Sequence, residues 1–422
     1  MGGAGVISVA EARARILAAF APLPAETVAL PDALGRVLAE PVVARLTQPP
    51  FAASSMDGWA VRAADVAQAQ ADRPATLRRI GEAAAGHAFA GTVGAGEAVR
   101  IFTGAPLPAG ADAVVMQEDC QPDGDRVRIG RAVPPGRFVR PAGLDFSAGE
   151  ELLPRGRLVT ARDVALAACA NVPWLRVHRR PRVAVLATGD EIALPGEPLG
   201  PSQIVSSNAL GLCALVATQG GIAHNLGVAK DDPESLAAMA AGAAGCDLLV
   251  TTGGAAQGEH DHVRNVLGGL QLDFYTIAMK PGKAMMFGKV GAGGGAGGVP
   301  LLGLPGNPVS TGVAAILFLR PVLRALQGLP PDNGDLLQTA TLGAALKGND
   351  SREDYLRATV TVEAGGAMVA TPFARQDNAM MSRLAKADGL IVRPPHAPPA
   401  QPGETVTILL LSGLLSNGVL SL

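Results

Sequence analysis

Three short segments carry the residue types that phosphate binding requires. They are Thr188-Gly189-Asp190-Glu191, Thr251-Thr252-Gly253-Gly254 with Gly258 and Asp261 just beyond it, and Pro305-Gly306-Asn307-Pro308-Val309-Ser310. Glycines let backbone N–H groups approach an anion, and a helix N-terminus adds partial positive charge. The hydroxyls of Thr188, Thr252 and Ser310 can donate to phosphate oxygens. Asn307 suits the cap of a following helix and Pro308 its first position. One such segment alone reads as an ordinary tight turn; three of them, two carrying acids, point to a site.

Lys280-Pro281-Gly282-Lys283 adds two lysines at a turn, which can hold a phosphate or another oxyanion as point charges or form a solvated hairpin tip. Carboxylates are the other theme. Asp57 lies in Ser54-Ser55-Met56-Asp57-Gly58-Trp59-Ala60 and Asp145 in Arg140-Pro141-Ala142-Gly143-Leu144-Asp145-Phe146; Glu191, Asp231 and Asp261 lie further along. Oxygen ligands of this kind suit Mg²⁺, which commonly bridges one or two carboxylates and substrate phosphates. Each acid alone reads equally as a helix cap or a solvated turn. His260 and His262 flank Asp261, but an offset of two puts them on different faces of a helix, as surface histidines. There is no Ser–His–Asp order, zinc spacing, Walker motif or GxGxxG fingerprint. Electrostatic stabilisation and metal assistance remain as the means of catalysis.

The elements that must position these residues follow from the apolar pattern. Val183-Ala184-Val185-Leu186, Asp247-Leu248-Leu249-Val250 and Leu301-Leu302-Gly303-Leu304 read as strands buried on both faces. Helices are predicted over 208–217, 233–244, 261–267 and 309–326, and a hairpin over 274–289 with a glycine-rich tip at 291–298. This βαβ alternation predicts a doubly wound, mainly parallel sheet, with ligands beyond the carboxyl ends of its strands. Val9, Ala12, Ile16 and Phe20 recur at helical spacing behind a Ser8…Glu11 capping box; a short helix is expected from Asp32 to before Pro41, and another over 160–170. Residues 42–140 turn to short β-like runs, and the stretch after the 330–334 linker reads as a small β-barrel with a helix near 380–386. The expected domains are a helical framework (1–44 plus 146–178), an inserted β-rich domain (45–145), the α/β domain (179–328) and a C-terminal barrel (335–412).

At 422 residues, with 48% hydrophobic and 17% charged, the chain is a well-packed multidomain protein. A net charge of -2 speaks against a nucleic-acid or membrane surface, so any anion site is local. Four scattered cysteines suggest neither a metal site nor a disulfide framework. The N-terminus does not read as a signal peptide, and the apolar stretch 407–422 is too short and interrupted to span a bilayer, so the expected location is cytoplasmic.

Taken in order, these segments resemble the molybdopterin molybdenumtransferase (MoeA) family, to which the homologous part of gephyrin is also similar. The resemblance covers nearly the whole chain. It rests on Ser55-Met56-Asp57-Gly58, Ile101-Phe102-Thr103-Gly104-Ala105-Pro106, Gly143-Leu144-Asp145-Phe146, Thr188-Gly189-Asp190-Glu191, Lys280-Pro281-Gly282-Lys283 and Leu304-Pro305-Gly306-Asn307-Pro308-Val309-Ser310. It implies a central MogA-like α/β domain and an elongated homodimer with its site shared between subunits. It implies cleavage of adenylylated molybdopterin in the presence of molybdate and Mg²⁺, releasing AMP and leaving molybdenum on the pterin dithiolene. Asp57, Asp145, Glu191, Asp231 and Asp261 match acids implicated in metal insertion, with Asp231 and Asp261 as metal ligands. Thr103 matches a site hydroxyl, Lys280 and Lys283 the oxyanion-binding lysines, and Arg352 and Ser382 positions near molybdate. With Thr188, Gly253, Gly254, Pro305, Asn307 and Ser310 these form the expected substrate site. A molybdopterin adenylyltransferase and cofactor-accepting proteins are the implied partners. The chain departs from the family at Gly253-Gly254-Ala255-Ala256-Gln257-Gly258, where Gly-Gly-Val-Ser-Val-Gly is usual, and at Ala284, where Pro is usual. The alternatives are a molybdopterin adenylyltransferase, which shares the α/β domain, and a non-enzymatic scaffold or cofactor carrier.

Overall fold

Residues 6–253, 274–290 and 298–411 are described by the computed structural model. The chain divides into two compact units: Met1–Glu40, Arg155–Ala161 and Arg176–Leu422 form one, and Pro41–Pro154 with Arg162–Leu175 the other. The second, smaller unit is β-rich. Its six-stranded sheet runs in the order Ala113–Met116, Gly58–Val61, Glu97–Ile101, Ala75–Ala83, Arg126–Ile129, Cys120–Asp123. Neighbours are antiparallel except Ala75–Ala83 against Glu97–Ile101. Alternate side chains leave opposite faces of a strand. Val99 and Ile101 therefore join one apolar cluster with Ala60 and Val114, while Ala98 joins another with Trp59, Val61 and Val115. Both faces are covered, which is why the sequence shows apolar runs here instead of strict alternation.

The larger unit holds the α/β sheet, ordered Ile222–Ala229, Arg182–Thr188, Leu248–Thr252, Val299–Leu304, Ala284–Val290, Phe274–Thr276. The first four strands are mutually parallel and the last two antiparallel to their neighbours. Val183 and Val185 face a core completed by the helices Asn208–Thr218 and Pro308–Leu326; Ala184 and Leu186 face a second core under Pro233–Ala240. The sheet is doubly wound, as its pattern predicts. Pro308–Leu326 is apolar and long enough to cross a membrane, but its surface is mostly buried in this core.

The N-terminal helix Val9–Leu17 begins where Ser8 Oγ accepts from the Glu11 N–H (3.1 Å), and its Val9, Ala12 and Ile16 join the first α/β core. The helix expected from Asp32 does not form. A 3₁₀ turn at Leu30–Asp32 leads instead into extended chain, with Val37 bridged to Leu158 and Leu38 to Val177. Gly35 (φ 71°) takes the left-handed conformation and stops a helix before it can propagate.

The C-terminal strands Leu337–Leu342, Glu353–Val362, Met368–Pro372, Gly389–Arg393 and Thr405–Leu410 close into a five-stranded barrel, because Glu353–Val362 pairs with both Met368–Pro372 and Gly389–Arg393. Several contacts tie the barrel to the α/β domain, including Tyr355, Leu390 and Leu409 in that domain's core. Met279–Lys280 adds in parallel to Glu353–Asp354, and the helix Met381–Ala385 packs so tightly on the 308–326 helix that a Cβ at Gly312 would lie 2.6 Å from Leu384 Cδ2.

Candidate active site

The chain leaves Arg182–Thr188 toward Ile222–Ala229 on one side, while Leu248–Thr252 follows on the other. Parallel sheets bind ligands at such a switch point. A cleft of ≈ 450 Å³ opens there. Thr188, Glu191, Asn208, Thr252, Gly253, Gly306 and Asn307 line it, and Ile192, Ile204 and Val205 give it an apolar wall.

Thr188 is 4% exposed, and its Oγ1 is buried with no hydrogen-bond partner among the described residues. An orphaned buried hydroxyl costs about 1–3 kcal/mol, which a ligand atom can recover. Gly253 (φ 91°) passes directly beside it. A Cβ at Gly253 would collide with the Thr188 carbonyl oxygen and stand 3.0 Å from Thr188 Oγ1. Gly306 packs on Gly253 at ordinary van der Waals distance, with a Cβ there 3.5 Å from Gly253 Cα. Glycine at 253 is thus dictated both by φ and by space. The three strand ends named from sequence converge on one cleft.

Side chains from two neighbouring βα units hold the third loop in place. Asn208 Nδ2 donates to Thr252 Oγ1 (2.9 Å) and to the Gly306 carbonyl (2.7 Å). Thr252 Oγ1 in turn donates to the Pro305 carbonyl (3.1 Å), as does Thr311 Oγ1 (2.5 Å). Asn208 and Thr311 are site residues that the sequence reading missed, since it took Asn208 only as a helix start. The signal available was a run of polar residues, Ser206-Ser207-Asn208, opening that helix.

Asn307 corrects one expectation. It occupies the N-cap position, but its side chain makes no capping hydrogen bond; its carbonyl accepts from the Thr311 N–H (2.9 Å), and the residue lines the cleft. Val309 N–H donates to the Asn378 carbonyl (3.2 Å), so the C-terminal region supplies part of the cap. Ser310 is buried beside it.

The lysine turn packs on this loop. A Cβ at Gly282 (φ 100°) would lie 3.4 Å from the Ser310 carbonyl and 3.6 Å from Pro305 Cγ, and Ala284 just beyond lines the cleft. Lys280 and Lys283 are exposed. Arg352 forks onto Asp350 (Nε–Oδ1 3.0 Å, Nη2–Oδ2 2.5 Å) beside the strand that pairs with Lys280. The Arg352 guanidinium and N–H hold the Asp350 carboxyl down at about 2. Ser382 is exposed on its short helix.

Among the described acids of the set, Glu191 alone lines the cleft. Asp231 is exposed, and its N–H donates to Asp190 Oδ1 (3.2 Å). Asp261 and Gly254, with the 261–267 helix and most of the glycine-rich tip, lie outside the described residues. In the β-rich unit, Asp57 and Thr103 meet across 46 positions of sequence: Asp57 Oδ1 accepts from the Thr103 N–H (2.7 Å) and hydroxyl (2.8 Å). Those two donors, the N–H first, hold the Asp57 carboxyl below its ordinary range, with a smaller contribution from the Arg100 charge. Asp145 is exposed in the same unit, its N–H donating to the Gln48 carbonyl (3.0 Å). Among the described residues no group of three or more His, Cys, Asp or Glu could hold a metal ion by itself.

A doubly wound sheet with a crevice at its switch point, in one chain with a β-rich unit and a closed barrel, defines the class: a multidomain α/β protein with a cleft suited to a small anionic ligand. Three family models match the chain in order: the MoeA N-terminal region (domain I and II) at residues 7–170, a probable molybdopterin binding domain at 184–325, and the MoeA C-terminal region (domain IV) at 339–411. A molybdopterin molybdenumtransferase of Nostoc sp. is 37% identical over 335 residues, 78% of this chain and 76% of that protein. The Haemophilus influenzae enzyme of the same name is 31% identical over 419 residues, 97% and 100% of the two chains. The crystal structure of a molybdopterin biosynthesis MoeA protein from Pyrococcus horikosii superposes with a TM-score of 0.83 at 31% identity, covering 96% of this chain and 99% of that one. The chain belongs to the molybdopterin molybdenumtransferase (MoeA) family.

Proposed function

We propose that this chain inserts molybdenum into adenylylated molybdopterin with release of AMP. As a member of its family it is a transferase of the molybdenum insertion step in molybdenum cofactor biosynthesis. The observation that carries the finer reading is Thr188 Oγ1, a buried hydroxyl without a partner among the described residues, set against the glycine backbone of two further strand ends. This arrangement suits a phosphate: one hydroxyl donor, close backbone approach and a helix start. The apolar wall of Ile192, Ile204 and Val205 suits the flat ring of a pterin.

In this reading Thr188, Gly253, Gly254, Pro305, Asn307 and Ser310 hold the substrate, and Lys280, Lys283, Arg352 and Ser382 receive molybdate, a substrate oxyanion. Asp57, oriented by Thr103, stays ionised at neutral pH and acts with Asp145, Glu191, Asp231 and Asp261 in metal insertion. The donor set fits Mg²⁺ borne on substrate phosphates, since a cleft carboxylate and neutral oxygens are what that ion commonly takes from a protein. Glu191 would face such an ion from the cleft, Asp231 and Asp261 are the ligands that the family resemblance implies, and the ion would neutralise phosphate charge. The homodimer, the cytoplasmic location, docking of an adenylyltransferase or a cofactor acceptor, and the four-domain division at 45, 146, 179 and 335 belong to the same proposal.

Incubation of the purified protein with adenylylated molybdopterin, with and without molybdate and Mg²⁺, tests it. AMP release that requires molybdate is the expected result. Formation of the AMP ester from ATP and molybdopterin would instead make the chain an adenylyltransferase.

A further inference from the structure

The hydrogen-bond geometry points to Asn208 as the residue that sets the position of the 305–307 loop and thereby the affinity of the cleft for its phosphorylated ligand. This rests on the reading of the cleft given above.

Asn208 opens the helix Asn208–Thr218, which follows the first strand of the sheet, yet its amide reaches the ends of the two other parallel strands. An amide N has two protons, and here each has one acceptor: Thr252 Oγ1 from the second strand at 2.9 Å and the Gly306 carbonyl after the third at 2.7 Å. The orientation of the Thr252 hydroxyl follows from this. Having accepted from Asn208, it donates to the Pro305 carbonyl (3.1 Å). The carbonyls of Pro305 and Gly306 are thus turned toward Thr252, Thr311 and Asn208. Consecutive peptide units fixed through their carbonyls have their N–H groups fixed as well, because each peptide is planar. The N–H groups that an anion would meet at Gly306 and Asn307 are therefore aimed by a side chain that makes no bond to the anion itself.

Three further facts agree with a positioning role. Gly306 stands against Gly253, which stands against Thr188, so a displaced 305–307 loop would reshape the surface around the orphaned hydroxyl. Asn208 is half-buried and lines the cleft, so its network is shielded from much of the competing water. The side chain is also not needed to start its helix, because no side-chain capping bond precedes it and Ser207 occupies the N-cap.

The test compares Asn208→Ala, Asn208→Asp and the double variant Asn208→Ala/Thr252→Val with the parent, using adenylylated molybdopterin as the probe in direct binding and in molybdate-dependent AMP release. Two lost hydrogen bonds predict about a tenfold or greater rise in Kd and KM for Asn208→Ala, with kcat changed much less. Asn208→Asp keeps the size but brings acceptors against the Gly306 carbonyl and should bind more weakly still. Because Asn208 and Thr252 act in one chain of bonds, Thr252→Val added to Asn208→Ala should cost little more. Unchanged Kd and KM in both single variants would overturn the assignment, as would a lowered Tm with affinity intact, the sign of a merely structural role. If the parent itself binds no probe, the reading of the cleft fails, and that result is distinct from failure of the Asn208 assignment.

Discussion

The cleft at the strand ends and the Asp57–Thr103 pair solve the same problem by opposite means. At the floor of the cleft the hydroxyls of Thr188 and Thr252 are buried and neutral, and the sheet fixes the backbone around them, with Gly253 after one strand and Gly306 after another; Glu191 adds an exposed carboxylate at the rim. The acid turn is half-buried at Asp57, charged, and fixed locally by two donors of one residue. A site built from strand ends inherits its precision from the core, and disturbing its backbone disturbs the fold. A carboxylate on a turn can be removed with little structural consequence, so its loss should appear in chemistry and not in stability. Gly58 marks the boundary between these cases. It follows Asp57 directly, and a Cβ there would collide with the Val115 carbonyl of the neighbouring strand.

The largest expected effect lies in the cleft. Gly253→Ala places a Cβ against the Thr188 carbonyl at φ 91°. A non-glycine residue in that conformation costs about 1–3 kcal/mol before the collision is counted. We expect a lowered Tm by calorimetry and no measurable AMP release. Asp57→Ala should abolish molybdate-dependent AMP release with Tm unchanged within about 2 °C, because a half-buried carboxylate on a turn, held by the N–H and hydroxyl of one exposed residue, contributes little to stability. A large loss of Tm in Asp57→Ala, or none in Gly253→Ala, would erase the distinction between the two regions.

Thr188→Val sharpens it. Removing an unsatisfied buried hydroxyl relieves a cost of about 1 kcal/mol, so stability in denaturant should hold or rise. Affinity for the phosphorylated ligand should fall about tenfold, since the ligand loses a donor. Thr103→Val addresses the acid turn. It removes the hydroxyl donor and leaves the N–H, so the Asp57 carboxyl should rise part of the way toward its ordinary range, measurable by carboxylate ¹³C NMR. The sign is fixed. A depressed carboxyl is ionised above its folded value and protonates as pH falls through it, so the acid limb of activity should move to higher pH in this variant. The smallest effect is chemical: iodoacetamide should label exposed Cys169 well before Cys120, whose thiol burial pushes up to about 12.

Much of this was legible in the sequence, for identifiable reasons. Continuous apolar runs such as Val183-Ala184-Val185-Leu186 fit strands covered on both faces, and the glycine, threonine and proline residues after them mark the strand ends that line the cleft. The family resemblance rested on motif agreement, and its six motifs fall three within the matched N-terminal region and three within the matched molybdopterin binding domain. What pattern could not supply was the partner of each surface. The spacing of Val9, Ala12 and Ile16 demands a buried face without saying that the α/β core buries it. The apolar residues between Asp32 and Pro41 have helical spacing, yet Gly35 and pairing with distant segments prevail over it. Asn208 was hidden for a similar reason, since its role depends on two strand ends 44 and 98 positions away in sequence. Local signals also misread Asn307, whose residue type suits a cap but whose side chain makes no capping bond.

The most direct test of the central claim is the stoichiometry of AMP released from adenylylated molybdopterin by the purified protein as molybdate is titrated. The account predicts AMP formation that rises with molybdate, equals the molybdenum transferred to the pterin, and disappears in Asp57→Ala. AMP release that is independent of molybdate, or that persists at the parent rate in Asp57→Ala, would contradict it.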